Sequence, residues 1–140
     1  MQSDQPFEVI EHTAEVGIIA RGRTLGELFS NAAAGMMHFL IAPSAAQRKA
    51  RRAVAVEAED LPGLLVAWLN ELLLVLNAEG FVPAGYEVTE VTERRMAADV
   101  WGEPVDPSRH RFRLDVKAVT YHQLYVRKNA VWEARLIFDV

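Results

Sequence analysis

The sequence predicts an α+β fold in which two helices pack on a largely antiparallel β-sheet of about eight strands. Two long segments have apolar residues at helical spacing. Most of the remaining chain alternates in short stretches that are typical of strands. The length of 140 residues suits one domain, so residues 1–140 are expected to form a single layered unit.

Both helices are predicted from their capping residues as well as from their apolar faces. The first covers residues 24–40 and begins with a capping box formed by Thr24 and Glu27. The second has Asp60 as its N-cap and ends at Gly80. Leucines and a tryptophan cover a broad face of this second helix, so we expect it to be the most buried element.

The predicted strands are short, and one of them has a particularly regular pattern. In residues 112–118, Phe, Leu, Val and Ala alternate with charged residues, which indicates a half-buried antiparallel strand. Residues 128–130 are expected to join the last two strands as a hairpin. The strands are predicted at residues 7–10, 16–21, 53–59, 86–93, 95–101, 112–118, 121–127 and 131–138.

The composition excludes several classes of protein. The chain has no cysteine, which excludes disulfides, thiolate metal sites and cysteine nucleophiles. A net charge of −4 argues against tight binding of nucleic acid through bulk charge. The longest apolar run, Leu72–Leu76, is much shorter than the roughly 20 residues of a membrane span. No secretory leader is recognisable, so a cytoplasmic protein without membrane partners is expected.

Carboxylates near two strand ends are candidate metal ligands. Glu15 precedes a predicted strand, and Asp139 is the next-to-last residue. A strand that runs to the end of the chain leaves a free α-carboxylate on Val140. If these three groups converge, they form a set of oxygen donors that hard cations such as Ca²⁺ or Mg²⁺ prefer. The spacing fits solvated acidic residues equally well, and both interpretations stay open.

The loop GEPVDPSRH, residues 102–110, is a second candidate site. Its two prolines stiffen the backbone, so Glu103, Asp106, Arg109 and His110 are expected to have fixed positions. An ordinary turn with solvated charges is the alternative. His110 also shares the phase of the apolar residues that follow it, as a hydrogen-bonded histidine at the border of a sheet would.

Two further histidines and one basic run carry possible polar contacts. His12 and His122 each lie at the end of a predicted strand beside other polar groups, whereas His38 is expected on the surface near a helix end. The run QRKARR, residues 47–52, has the charge to contact RNA phosphates. It lacks interleaved aromatic residues, which favours a solvated entry into a strand.

Five segments of the chain resemble one known family. HTAEVGIIARGRTLGELFSNAAAGM resembles the opening of the archease family, whose signature is H-T-A-D-x-G followed by a strand and an amphipathic helix. The resemblance continues, in the same order, through VEAEDLPGLLVAWLNELLLV, GEPVDPSRH, VKAVTYHQLYV and the closing WEARLIFDV. It therefore spans nearly the whole chain.

The resemblance implies a function that composition does not supply. Archeases are non-catalytic partners of RtcB-type RNA ligases, which are GTP- and metal-dependent. They promote guanylylation of the ligase and its repeated turnover in tRNA splicing and RNA repair, and they meet RNA only indirectly. By the resemblance, a divalent ion (Ca²⁺, Mg²⁺ or Mn²⁺) is bound by Glu15, Asp139 and Val140. Contacts to the ligase or to nucleotide phosphate are then expected at His12, Asp106, Arg109, His110, Lys117 and His122.

The chain departs from the family pattern at one position and leaves two other functions open. Glu15 stands where the family has Asp, and its extra methylene shifts the carboxylate by about one bond, which changes or weakens a metal site. One alternative is a chaperone-like module, which an exposed apolar patch around Met36, Met37, Phe39 and Trp101 would favour. The other is a metal-dependent hydrolase with a deep pocket and His12 as base. The sequence does not indicate an oligomeric state.

Overall fold

A computed structural model describes residues 6–11, 15–42 and 46–140 of the chain. These residues form seven strands and two helices. Pairing between the strands is antiparallel throughout. In chain order, the elements are β1 (Phe7–Glu11), β2 (Glu15–Gly22), α1 (Leu25–Leu40), β3 (Ala50–Glu57), α2 (Leu61–Glu79), β4 (Phe81–Val91), β5 (Arg95–Pro104), β6 (Ala118–Lys128) and β7 (Trp132–Asp139).

The strands form two sheets, and the helices pack between them. The first sheet has the order β1-β2-β7-β6 and the second has the order β3-β5-β4. Helix α1 packs on β2 of the first sheet and on β4 of the second, while α2 packs on β6 and β3. The predicted α+β class is confirmed. The described chain has seven strands, close to the predicted number of about eight, and they are divided between two sheets.

Both predicted helix starts are present. The Thr24 hydroxyl accepts a hydrogen bond from the Glu27 N–H at 3.1 Å. The Glu27 carboxylate accepts from the N–H of Arg23 at 3.3 Å, so the capping box closes one residue earlier than the usual reciprocal pattern. At the second helix, Asp60 accepts from the Gly63 N–H at 2.8 Å. Gly80 ends this helix in the left-handed conformation, with φ 63°, which glycine adopts without strain.

Helix α2 is the apolar centre of the molecule. Trp68 is fully buried, and its Nε1–H donates to the Phe29 carbonyl of α1 at 3.0 Å, which fixes the two helices to each other. By length and composition alone α2 could cross a membrane, with a mean hydropathy of 1.6 over 18 residues. More than half of that window is buried in the protein, which is typical of a core helix.

The prediction of a strand over residues 112–118 was wrong. Only Phe112 forms an isolated bridge, with Ile41, and regular pairing begins at Ala118 with β6. Phe112 and Leu114 are 52% and 37% exposed, although the alternating pattern placed both in the core. Val116 is the residue of this pattern that is buried, at 1% exposed. The segment therefore crosses the molecule without joining either sheet as a strand.

The end of α1 explains the course of this segment. The last carbonyls of a helix have no partners within the helix and need donors from elsewhere. The N–H groups of Arg113 and Leu114 donate to Leu40 O and Phe39 O, at 2.9 and 3.0 Å. The Arg113 guanidinium donates to the carbonyl of His38 at 3.1 Å. Residues 113–114 thus cap the helix, and this requirement overrides the alternating pattern.

Candidate functional site

Two carboxylates lie side by side at one end of the first sheet. Strands β2 and β7 pair so that Glu15 is directly opposite Asp139. Residues directly opposite in an antiparallel pair project to the same face, with Cβ atoms about 4.5–5.5 Å apart. The Glu15 side chain is 43% exposed, and Asp139 is exposed as well. We call this pair, Glu15 and Asp139, the acidic edge.

Two further polar residues lie next to the acidic edge, one in β6 and one directly before it. The ring Nε2 of His122 lies 4.0 Å from Glu15 Oε1. An irregularity in the pairing of β6 with β7, between Thr120 and Tyr125, carries this histidine, and bulges of this kind often re-aim a side chain next to a functional site. On the other side, the N–H of Lys117 donates to the Asp139 carbonyl at 2.8 Å. The His122 ring and the backbone of Lys117 therefore lie next to the carboxylates.

The last residue is held next to the acidic edge by its side chain. Val140 is partly buried and packs against the hydrophobic core. Because Val140 directly follows Asp139, this contact keeps the end of the chain at the same end of the sheet. The sequence prediction required that the chain end come back beside Glu15, and the pairing of Glu15 with Asp139 meets that requirement.

The donor set fits a hard cation in part. Glu15 and Asp139 supply carboxylate oxygens on one face, which suit Ca²⁺, Mg²⁺ or Mn²⁺. Across residues 6–11, 15–42 and 46–140, no three His, Cys, Asp or Glu side chains converge as a metal site. A cation at the acidic edge therefore needs a donor of another kind, which the family resemblance assigns to Val140, the residue after Asp139. His12 lies outside the described residues.

The loop predicted as a second site forms a separate cluster around Glu103. This glutamate is buried, with its side chain 2% exposed, at the end of β5. It forms an ion pair with Arg109 and accepts a hydrogen bond from the backbone N–H of Gln47. The sequence analysis named Glu103 as a residue of this loop but did not predict its burial, because the donor at Gln47 is distant along the chain. We call this arrangement the Glu103 cluster; its members are Gln47, Glu103, Asp106, Arg109 and His110.

Hydrogen bonds within the loop fix the other members of the Glu103 cluster. Asp106 accepts from the N–H and the hydroxyl of Ser108, at 3.0 and 2.7 Å, and pairs with Arg109 Nε at 3.2 Å. The bonds from Ser108 lower the pKa of Asp106, so its carboxylate stays charged. The guanidinium of Arg109 is thus shared between two carboxylates of the loop.

His110 is buried in this cluster in its neutral form. Burial and, after it, the charge of Arg109 lower the pKa of His110. Its Nδ1 accepts from the Asp106 N–H at 2.8 Å, so the ring proton is on Nε2. Nε2 faces Glu103 Oε1 at 3.7 Å, beyond hydrogen-bond distance. His110 is the buried histidine that its sequence phase indicated, although the segment after it is not a strand.

The structure thus divides the predicted contact residues into two groups. Lys117 and His122 lie at the acidic edge. Asp106, Arg109 and His110 belong to the Glu103 cluster. Within the part of the chain that the structure describes, no hydrogen bond or ion pair joins the two groups. The first group is exposed and available to a partner, and the second is engaged in holding its own loop.

A family comparison agrees with this architecture. The model of the Archease protein family matches residues 7–140. The chain belongs to the archease family. It is 37% identical, over 139 residues, to the archease of Pyrococcus abyssi, covering 96% of this chain and 98% of that protein. The archease of Methanosarcina acetivorans is 36% identical over 139 residues, with 96% and 95% covered.

Two solved structures have the same archease fold. The solution structure of a protein from Methanobacterium thermoautotrophicum matches with a TM-score of 0.81 and 30% identity, covering 97% of this chain and 99% of that one. The crystal structure of a Thermotoga maritima protein matches with a TM-score of 0.63 and 17% identity, covering 94% of each. The Thermotoga protein is described as an archease and possible chaperone. At 17% identity, this second likeness shows the fold alone.

The two alternative functions differ from the archease geometry in specific ways. A hydrolase needs its ligands in a pocket, whereas Glu15 and Asp139 lie on an exposed rim of the sheet. The chaperone-like alternative requires an exposed apolar patch at Met36, Met37, Phe39 and Trp101. Met36, Met37 and Phe39 are buried, at 0%, 7% and 7% exposed, and Trp101 is half-buried, so that patch does not form.

Proposed function

We propose that this archease is a non-catalytic activator of an RtcB-type RNA ligase in tRNA splicing and RNA repair. The single observation that supports it most is the pairing of Glu15 with Asp139 at an exposed sheet end, with Val140 next in the chain. In this proposal Glu15, Asp139 and the α-carboxylate of Val140 hold a divalent cation at a surface that a partner can reach. A bound cation there would neutralise charge that develops during guanylylation.

The residues around the acidic edge have distinct roles in this proposal. Lys117 is exposed and its backbone N–H is bonded to Asp139, so its ammonium would suit an acidic or phosphate group of the ligase complex. The His122 ring faces Glu15 and orients that carboxylate when it donates. Lys117 and His122 would thus contact the partner, while Glu15 and Asp139 would hold the ion. The Glu103 cluster holds its own loop, residues 102–110, in place, and no described hydrogen bond or ion pair joins it to the acidic edge.

The proposal is tested by the rate of guanylylation of the RtcB-type ligase from the same organism, with and without this protein. We expect Glu15→Gln and Asp139→Asn to lower the stimulation by about tenfold or more, since each removes a charged oxygen donor. Glu15→Asp restores the family residue and should keep or increase the stimulation. Glu93→Gln, at an exposed position in the turn between β4 and β5, is the matched control for loss of one charge.

Each variant also distinguishes ion binding from partner contact. Lys117→Ala should reduce stimulation but leave the stabilisation of the folded protein by Ca²⁺ or Mn²⁺ unchanged. Glu15→Gln should reduce both. Stimulation equal to that of the parent protein in Glu15→Gln and Asp139→Asn would refute a role for the acidic edge.

A further inference from the structure

A groove lies at the C-terminal end of α1, and neither the acidic edge nor the Glu103 cluster supplies a residue to its lining. It has a volume of about 310 Å³ and lies between the start of β1, the end of α1 and the start of β4. Its walls are mainly apolar, and the rings of Phe7 and His38 lie 5.6 Å apart on one side of it. Its lining includes Phe7, Met37, His38, Ile41, Val82 and Pro83.

Three arginines lie next to residues that line this groove or adjoin its lining. On the β4 side, the guanidinium of Arg48 lies directly against Gly85, where any Cβ would collide with it. On the α1 side, the carbonyl of Arg111 accepts from the N–H of Ala42, a lining residue, at 2.8 Å. The Arg113 guanidinium donates to the carbonyl of His38, another lining residue, at 3.1 Å. We use the name basic groove for the groove together with these three arginines, Arg48, Arg111 and Arg113.

These arginines differ from most others in the protein by their lack of acidic partners. Across residues 6–11, 15–42 and 46–140, Arg48, Arg111 and Arg113 form no ion pair with a carboxylate. Six other arginines do form ion pairs with carboxylates: Arg21, Arg51, Arg52, Arg95, Arg109 and Arg127. On a protein with a net charge of −4, the basic groove is therefore a local concentration of uncompensated positive charge.

An exposed aromatic side chain completes the surface. Phe112 is 52% exposed and lies between Arg111 and Arg113 in the sequence. Its backbone is fixed, because it pairs with Ile41 of the groove and the following residues cap α1. An exposed ring on a fixed backbone, with an arginine on either side in the sequence, suits the stacking of a nucleobase, with phosphates on the guanidinium groups.

Arg48 belongs to the basic run at residues 47–52. From the sequence alone, RNA binding by this run was disfavoured because the run lacks aromatic residues. The fold supplies them from elsewhere: Phe112 comes from the segment that caps α1, and Phe7 from the start of β1. Base faces are exposed in single strands and stacked inside duplexes, so this combination favours single-stranded RNA over double-stranded RNA. An acidic protein surface would use the arginines but would leave the ring without a planar partner.

We infer that the basic groove binds single-stranded RNA. Phosphates lie on Arg48, Arg111 and Arg113, and one base stacks on Phe112. The inference goes beyond activation of a ligase, because it gives this chain a direct contact with RNA. It also stands apart from that proposal experimentally, since RNA binding is measured on the protein alone, without a ligase.

The test is fluorescence anisotropy of a labelled oligouridylate, which has no duplex structure, titrated with the full-length protein at several salt concentrations. Three phosphate contacts predict a log–log slope of affinity against salt of about −2, at about −0.7 per contact. Arg111→Ala should reduce the slope by about one third and leave the fold intact, because its side chain makes no described hydrogen bond. Phe112→Ala should weaken binding by about tenfold at an unchanged slope.

Matched controls separate the basic groove from general charge and hydrophobicity. Arg94→Ala removes an exposed arginine from the turn between β4 and β5, and Tyr121→Ala removes an aromatic side chain that is 69% exposed on β6. Both should bind the oligonucleotide as the parent protein does. A duplex RNA of equal length should compete poorly.

Any of three results would overturn the inference. The first is that the parent protein shows no salt-dependent binding. The second is that Arg111→Ala and Phe112→Ala bind as well as the parent, and the third is that Arg94→Ala loses as much affinity as Arg111→Ala. If Arg111→Ala lowers the affinity for the ligase while the parent binds no RNA, the basic groove is a docking surface for an acidic protein instead.

Discussion

Glu15 and Glu103 have similar places in the two sheets but opposite surroundings. Each lies near the end of a strand, and each has a histidine ring nitrogen within 4.0 Å. The Glu103 side chain is 2% exposed and faces Arg109 and a backbone N–H. The Glu15 side chain is 43% exposed, and its neighbour across the strand is another carboxylate. The first glutamate is neutralised within the chain, and the second is not.

This difference in surroundings gives the two carboxylates different roles: Glu103 stabilises the fold, whereas Glu15 is exposed to a ligand or partner. A buried carboxylate with an arginine partner fixes the backbone around it, and removal of either partner leaves an uncompensated charge. Like charges directly opposite in a sheet destabilise the fold by a few tenths of a kcal/mol to about 1 kcal/mol. The fold therefore gains from a cation at the acidic edge, whereas the Glu103 cluster has no need of one.

The largest expected effect is on the Glu103 cluster. Arg109→Ala should lower the free energy of unfolding by about 3 kcal/mol, because it leaves the buried Glu103 carboxylate without a counter-charge. Urea denaturation measures this loss. The double variant Arg109→Ala/Glu103→Gln should recover much of it, since a neutral amide needs no counter-charge. A loss below about 1 kcal/mol in the single variant would show that solvent replaces the arginine.

A comparable effect is expected at the acidic edge, but only with a cation present. Saturating Ca²⁺ or Mn²⁺ should stabilise the parent protein, by about 2.7 kcal/mol at one hundred times the dissociation constant. The variant Glu15→Gln/Asp139→Asn should lose this stabilisation and be equally or more stable than the parent in chelator. Thermal unfolding with and without the ion measures both quantities. The same rise in melting temperature in parent and variant would place the ion elsewhere.

A smaller effect is expected from the chain end. Extension beyond Val140 converts its α-carboxylate into a peptide group and removes one charged donor. A C-terminal tag should therefore weaken the stabilisation by Ca²⁺ or Mn²⁺ and the stimulation of the ligase, whereas an N-terminal tag should leave both unchanged. Equal behaviour of the two tagged proteins would remove Val140 from the ligand set.

The smallest effect is the pH dependence of the Glu103 cluster. The pKa of His110 in the folded protein is lowered below its ordinary value of 6.5. The unfolded chain therefore binds the proton first, and the contribution of His110 to stability is complete above about pH 6.5 and falls as the pH drops toward the folded pKa. His110→Asn keeps an acceptor for the Asp106 N–H and removes the titration. Urea denaturation between pH 5 and pH 8 should show a shallower decline for this variant, and parallel curves would contradict it.

The sequence predicted most of the fold because local chemistry decides it. The caps at Thr24, Asp60 and Gly80 mark the helix ends closely, since each satisfies backbone groups within a few residues. The strand predicted over residues 112–118 does not form, because N–H groups of this segment bond to the free carbonyls at the end of α1, which is distant along the chain. The division into two sheets also escaped the sequence, since strand partners are chosen by tertiary packing.

The candidate site was predictable to a similar extent. Spacing permitted Glu15 and Asp139 to meet, the family resemblance pointed to it, and the strand register places them opposite each other. The burial of Glu103 and the arginines of the basic groove were not predictable in the same way. Each depends on groups brought together from separate parts of the chain, such as the Gln47 N–H beside Glu103 and Phe112 beside Ile41.

The capping of α1 by residues 113–114 has a consequence for backbone dynamics. The N–H groups of Arg113 and Leu114 are bonded to helix carbonyls and not to a neighbouring strand. Their hydrogen exchange should therefore follow the fraying of the last turn of α1, with the protection of a helix terminus instead of that of a sheet interior. A peptide spanning residues 111–117 should then exchange faster than peptides from β7, although the sequence pattern of both is that of a buried strand.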